Sequence, residues 1–176
     1  MKVYVLRLGH RPGRDDRIST HCALVARAFG ADGIMYTIED SKLRSKILDV
    51  VDRFGGPFDV IMGVQWRRVL KEWVEKGGEV IHLTMYGMPL PEVINEIKSS
   101  KRDKLIIIGA EKVPGEIYKL ATYNVSVTNQ PHSEIAALAV FLDWLFEGRE
   151  FYRNFKNAKL KIIPNPKGKT VINIKK

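Results

Sequence analysis

The chain has one cysteine, no zinc-type spacing of cysteine and histidine, and no apolar run approaching the roughly 20 residues of a membrane-spanning helix. Cys22 therefore has no disulfide partner within the chain, and a buried structural thiol is expected. Met1-Lys2 leads straight into the strand-like run VYVLRL with no cleavage pattern. A soluble, intracellular, cytoplasmic protein without a membrane partner is expected. The GxGxxG turn and the GxxxxGK[ST] phosphate loop are both missing, which disfavours Rossmann-type oxidoreductases and nucleoside triphosphatases. Asp15, Asp16 and Glu111 form no obvious ligand set, and no metal is expected. There is no internal repeat and no low-complexity segment.

At 176 residues, 45% hydrophobic and 28% charged, the chain is long enough for one sizeable core and hardly for two. One main domain over residues 1–148 and a small extension over 149–176 are expected. The net charge of +9 is concentrated in that extension, where nine basic residues face one acid, Glu150, leaving the body near neutral. A basic tail on a neutral body suits a polyanion, because each phosphate contact releases counterions. It also suits a solvated tail that only maintains solubility.

Short apolar runs alternate with helical periodicity as far as residue 147, the pattern of βαβ units around a mostly parallel sheet with helices on both faces. Strands are predicted at Lys2–Leu8, Gly33–Tyr36, Phe58–Met62, Glu79–Leu83, Lys104–Ile108 and Tyr123–Val127. Asp40 can cap a helix through Leu43, Ile47, Val50, Val51 and Phe54, stopped by Gly55-Gly56. A second helix covers Arg67–Lys76, and a third begins near Pro89 and Pro91. From Ser133 to Glu147 the helical stretch has no polar face over two turns, so it must be covered by its own domain or by a second subunit. After Gly148, Lys159–Ile163 and Thr170–Ile174 read as a β-hairpin with a basic tip.

Ligands of parallel sheets settle at the carboxyl ends of the strands, and three loops there carry unusual chemistry. Gly109 to Gly115 follows a buried-looking strand and exits through Pro114; Thr128 to Glu134 packs amides, hydroxyls and an imidazole before a helix amino terminus. Residues 7–17 bring together four arginines, His10 and two aspartates. Those arginines could form an Arg–Asp network that closes the loop, but RNA contact is the favoured expectation for at least some of them. Singly, each loop reads as a turn.

In their order, RLGHRPGRDDRISTHCALVARAFGA (7–31), IGAEKVP (108–114) and TNQPHSE (128–134) resemble the three motifs of the SPOUT RNA methyltransferases. In detail they are similar to the branch that methylates the ribose of cytidine 56 in archaeal tRNA, over nearly the whole chain. The resemblance implies a deep trefoil knot in the carboxyl-terminal half, a homodimer, tRNA as substrate and S-adenosylmethionine as cofactor. It implies cofactor contacts from Leu83, from Gly109, Ala110, Glu111, Lys112 and Val113, and from Val127, Thr128, Asn129, Gln130, Pro131, His132, Ser133 and Glu134. Related enzymes carry a catalytic arginine partway along the first-motif helix, where this sequence has Leu24. The catalytic role therefore falls to Arg14 or Arg17, with His21 and His132 behind them. A non-catalytic RNA-binding protein using the arginine loop and hairpin, and a small-molecule enzyme using the same loops, are the rival readings.

Overall fold

Along the first strand, Val3 and Val5 bury into one apolar layer while Leu6 and Leu8 bury into another. The same alternation separates Ile106 and Ile108 from Leu105 and Ile107, and Ile81 and Leu83 from Val80. Strands buried on both faces are what a parallel sheet between two helical layers requires. The computed structural model describes residues 1–109 and 112–174. Its main sheet consists of β1 (Val3–Leu8), β2 (Gly33–Tyr36), β3 (Asp59–Ile61), β4 (Glu79–Pro89), β5 (Lys104–Gly109) and β6 (Tyr123–Ser126). Their order is β3-β2-β1-β5-β4-β6, and every pair is parallel.

One face is covered by α1 (Asp16–Ala28), α2 (Ser41–Phe54), α4 (Leu90–Ser99) and α6 (Glu134–Phe146) through residues such as Cys22, Leu43, Ile94 and Phe141. The other is covered by α3 (Trp66–Glu75) and α5 (Gly115–Leu120) through Leu70 and Ile117. The Asp40 cap forms as predicted: its carboxylate accepts from the Leu43 amide at 2.9 Å. Gly55 ends that helix at φ +89°, a conformation side chains rarely adopt. In α6, Ala137, Leu138, Phe141, Leu142 and Leu145 are buried within the chain, while Ala136, Val140 and Trp144 leave an exposed stripe at four-residue spacing.

Sequence pattern ends the fourth strand at Leu83, but β4 continues to Pro89 by an irregular route. Leu83 and Met88 both pair with Val125 of β6, so Thr84 to Gly87 leave the ladder and return. Gly87 then lies so close to β6 that a Cβ added there would meet the Asn124 carbonyl and the Val125 nitrogen at 2.5 Å. The Asn129 amide fixes the crossing by donating to the carbonyls of Met85 (2.8 Å) and Gly87 (3.1 Å).

The extension begins with a 3₁₀ turn at Arg149–Tyr152 and ends in an antiparallel hairpin of β7 (Leu160–Ile163) and β8 (Thr170–Asn173). It is anchored at the end of α2. Gly56 and Lys156 exchange backbone hydrogen bonds at 2.9 Å, and Arg27 donates to the carbonyls of Phe54 and Gly55 while stacking 4.0 Å over the Phe155 ring. These carbonyls are the unpaired acceptors of a helix end, so the buried guanidinium is satisfied where the helix dipole favours a cation. Lys175 and Lys176 of the basic tail lie outside the described residues.

Gly87→Ala forces backbone against backbone and is expected to lower the melting midpoint by about 5 °C or more. Gly115→Ala is its control, since an added methyl there meets nothing within 4 Å. Parallel thermal melts of the two variants check this.

Candidate active site

At the carboxyl ends of β4 and β5 the chain encloses an open cavity of about 270 Å³. Six residues expected at a cofactor line it together: Leu83, Gly109, Val113, Pro131, His132 and Glu134. Three separate chain segments converge there as the strand-end rule requires. Lys112 instead borders a neighbouring cavity of about 600 Å³, shared with Leu8, Gly9, His10, Arg11 and Ile38. Gly109 and Val113 line both cavities and so form the partition between them.

Val127, Thr128, Asn129, Gln130 and Ser133 line neither cavity. Their contacts hold the loop in shape. Asn129 secures the Met85–Gly87 crossing, the Gln130 carbonyl meets His132 Nδ1 at 2.6 Å, and the Ser133 hydroxyl caps α6 by accepting from Ile135 at 3.2 Å. Ala110 and Glu111 lie outside the described residues.

Arg14, Arg17 and His21 are exposed around the start of α1 and line neither cavity. Within the same loop, Arg11 makes a two-pronged ion pair with Asp15, at 2.9 and 3.1 Å, which holds the Asp15 carboxyl below its ordinary range. Arg11 thus helps to close the loop, while Arg14 and Arg17 are solvent-exposed. His10, fully buried, braces the loop from beneath: Nδ1 meets Ser19 Oγ at 2.7 Å and Nε2 meets Asp40 Oδ2 at 3.0 Å. With Asp16 these groups place three ligand-type atoms within 4.8 Å of one another. Both His10 nitrogens are nevertheless engaged by protein, and the Asp16 carboxylate accepts from the Gly13 amide at 2.7 Å.

Seven cavity residues, His82, Thr84, Met85, Tyr86, Ile108, Tyr118 and Ala137, were not among the site residues expected from sequence. His82 and Thr84 flank Leu83 at the same strand end, so the rule that selects loops there would have found them. His82 is fully buried and stacks edge-on to Tyr118 at 4.7 Å. Its Nδ1 lies 2.9 Å from Asn124 Oδ1, while Asn124 donates through Nδ2 to the Tyr118 carbonyl at 2.8 Å. That orientation makes His82 Nδ1 the donor. Burial pushes the imidazole below its ordinary value, favouring the neutral ring, whose Nε2 lone pair meets no partner among the described residues.

A larger cleft of about 920 Å³ opens at the other end of the sheet, near Trp73, Glu79, Arg102 and Tyr123. Its polar groups already serve one another, as in Tyr123 with Glu96 at 2.8 Å and Arg102 with Glu79 at 3.8 Å. Size alone does not make it the reaction site.

Unfolding restores His82 to an ordinary value near 6.5. Between the folded and unfolded values the unfolded chain binds more protons, so stability present above that pH is lost as pH falls through this window. His82→Gln is expected to flatten the decline of melting temperature between pH 7 and 5; an unchanged slope assigns the decline to other groups.

The family described as tRNA ribose 2′-O-methyltransferase, aTrm56, matches residues 54–172. A tRNA (cytidine(56)-2′-O)-methyltransferase of Hyperthermus butylicus is 56% identical over 97% of this chain and 92% of its own. The enzyme of the same name from Methanocaldococcus jannaschii is 56% identical over 98% and 97%. Among solved structures, the A. aeolicus TrmH/SpoU tRNA modifying enzyme superposes with a TM-score of 0.63 at 14% identity, covering 86% of this chain and 77% of the other. The SpoU methyltransferase AviRb from Streptomyces viridochromogenes, solved with AdoMet, gives 0.58 at 17% identity over 84% of this chain and 58% of the other. These two share the fold, whereas the sequence matches extend through the hairpin and both cavity loops: the chain belongs to the archaeal tRNA ribose 2′-O-methyltransferase family.

Proposed function

We propose that this protein transfers a methyl group from S-adenosylmethionine to the ribose 2′-hydroxyl of cytidine 56 in tRNA. The carrying observation is identity of 56% along almost the full length of relatives named for that reaction. The cavity fits the cofactor chemically. It offers acceptors, the Glu134 carboxylate and the unpartnered His82 Nε2, to a ligand that is cationic and rich in donors. Leu83, Ile108, Val113 and Ala137 give it apolar walls. When bound, S-adenosylmethionine supplies a sulfonium methyl open to in-line attack.

A ribose hydroxyl is a poor nucleophile, so the protein's task is to orient it and stabilise the negative charge that develops on its oxygen. Arg14 and Arg17 are assigned that task, with His21 as a further proton-handling group. An exposed guanidinium can hold a neighbouring phosphate and present N–H donors to the developing alkoxide. Since none of the three lines the cavity of its own chain, the substrate reaches them through loop movement or across a subunit boundary.

The second route agrees with a homodimer, for which the exposed Ala136, Val140 and Trp144 stripe supplies an apolar surface. A deep trefoil knot is also part of this reading, in keeping with the irregular Leu83–Met88 pairing to β6 and the close backbone approach of Gly87 to Asn124 and Val125. Such threading is otherwise almost absent from proteins. We assign residues 1–148 to the methyltransferase body and 149–176 to an RNA-contacting extension. Within the described residues no helix is long and apolar enough to cross a membrane, and action on tRNA in the cytoplasm fits.

The decisive experiment incubates unmodified tRNA with methyl-labelled cofactor and maps the alkali-resistant linkage. A 2′-O-methyl at position 56 is expected; label on a base, or none, overturns the assignment. Arg14→Ala should retain cofactor affinity and lose about 100-fold or more in turnover, as single-turnover assays would reveal. Replacing Lys161, Lys167 and Lys169 together with alanine should reduce the slope of log affinity for tRNA against log salt by about 2 to 3. Filter binding across a salt series measures it.

A further inference from the structure

Arg7 is among the largest fully buried side chains of the described residues. It sits on β1 in the same alternation as Val3 and Val5, facing the layer formed by α1 and α6, where an aliphatic side chain would fill the volume without removing a charge from water. Among the described residues its Nε and Nη1 are buried without a hydrogen-bond partner, and the Cys22 thiol beside it, pushed up to about 11 mainly by burial, offers only a weak acceptor. The one ion pair found for Arg7 among the described residues is with Glu134, Nη2 to Oε1 at 3.3 Å. An arginine kept in such surroundings calls for a function at its partner.

Glu134 is not required there for its helix alone, because Ser133 already caps α6. What distinguishes its carboxylate is its position: it lines the 270 Å³ cavity with 18% of its side chain accessible. No lysine or arginine is among the described residues lining that cavity, so this carboxylate supplies the fixed formal charge facing a ligand. Arg7, with no exposed surface, lies behind it. An anionic wall in a partly desolvated cleft attracts a cation more strongly than the same carboxylate would in water.

We propose that Glu134, positioned by the buried Arg7, makes the cleft selective for ligand charge, favouring a sulfonium cofactor over its neutral thioether product. This rests on the cleft being the S-adenosylmethionine site. The consequence is a product released more readily than the donor, with Glu134 the specificity-determining residue and Arg7 its positioning residue.

Calorimetry on the full chain tests it with three ligands: S-adenosylmethionine; S-adenosylhomocysteine, its neutral-sulfur product; and sinefungin, which carries a protonated amine where the donor has its sulfonium. Glu134→Gln retains shape and an acceptor for Arg7. It should weaken both cationic ligands about tenfold while S-adenosylhomocysteine changes less than about twofold. Arg7→Met should shrink the same ratio; if that variant fails to fold, Glu134→Gln carries the test alone. Equal weakening of all three ligands, or of none, overturns the charge-selective role while leaving the cofactor site intact. Failure of the wild-type chain to bind any of them overturns the site reading itself, and the proposal with it.

Discussion

The close crossing of Gly87 over Asn124 and Val125 governs the carboxyl edge of the sheet. Backbone meets backbone there at a separation that leaves no room for a side chain. Because the chain leaves the ladder after Leu83 to make that crossing, Thr84, Met85 and Tyr86 become cavity wall instead of strand interior. Because Asn129 bonds back to Met85 and Gly87, the loop after β6 is pinned to the same place, and the start of α6 follows it. Pro131, His132 and Glu134 thus reach the cavity through a tether that none of them makes. Two walls of the site are positioned by one contact, with little rearrangement left for ligand binding to impose.

Periodicity made the sheet and most helix ends readable, since strands buried on both faces and helices with polar outer faces leave strong signals. Asp40 and Gly55 bracket α2 as their chemistry predicts. The irregular continuation of β4 was not readable. Nothing in TMYGMP alternates, and the pairing of Leu83 and Met88 with one residue, Val125, depends on a strand that lies far away in sequence. The loops around the cavity were legible because glycine, proline and amides gather at strand ends. Their internal division of labour was not. Asn129 and Ser133 look as ligand-like as Glu134 in sequence, yet they spend their hydrogen bonds on the loop itself. Arg7 belonged to two readings at once, the end of the predicted strand Lys2–Leu8 and the start of a stretch of four arginines. Strand pairing supports the first, placing Arg7 opposite Ile108 and Tyr36 in the sheet, and its burial was not legible.

The two ends of the sheet treat buried polar groups differently, and that difference bears on function. At the amino ends, Lys104 is fully buried but gives its ammonium to Glu79 at 2.5 Å and to the carbonyls of Arg102 and Ser100. Three donors find three acceptors, so the charge is neutralised and the hydrogen bonds are complete. Towards the carboxyl ends, Arg7 of β1, His82 of β4 and Ser126 of β6 each keep a buried polar atom without a partner among the described residues. An unmet donor or acceptor in the interior costs about 1–3 kcal/mol, a burden the amino end of the same sheet avoids. Stability alone would select apolar residues at these three positions, as it did at Val3, Val5, Ile81 and Val125 on the same strands. His82 lines the cavity and Arg7 is ion-paired to Glu134, which lines it too, so two of these costs fall where a ligand would meet polar, dry and preorganised groups. None of the three lines the larger cleft at the amino ends. Among the described residues of the main sheet, these unmet groups, more than the shape of the surface, support the smaller cavity as the proposed site.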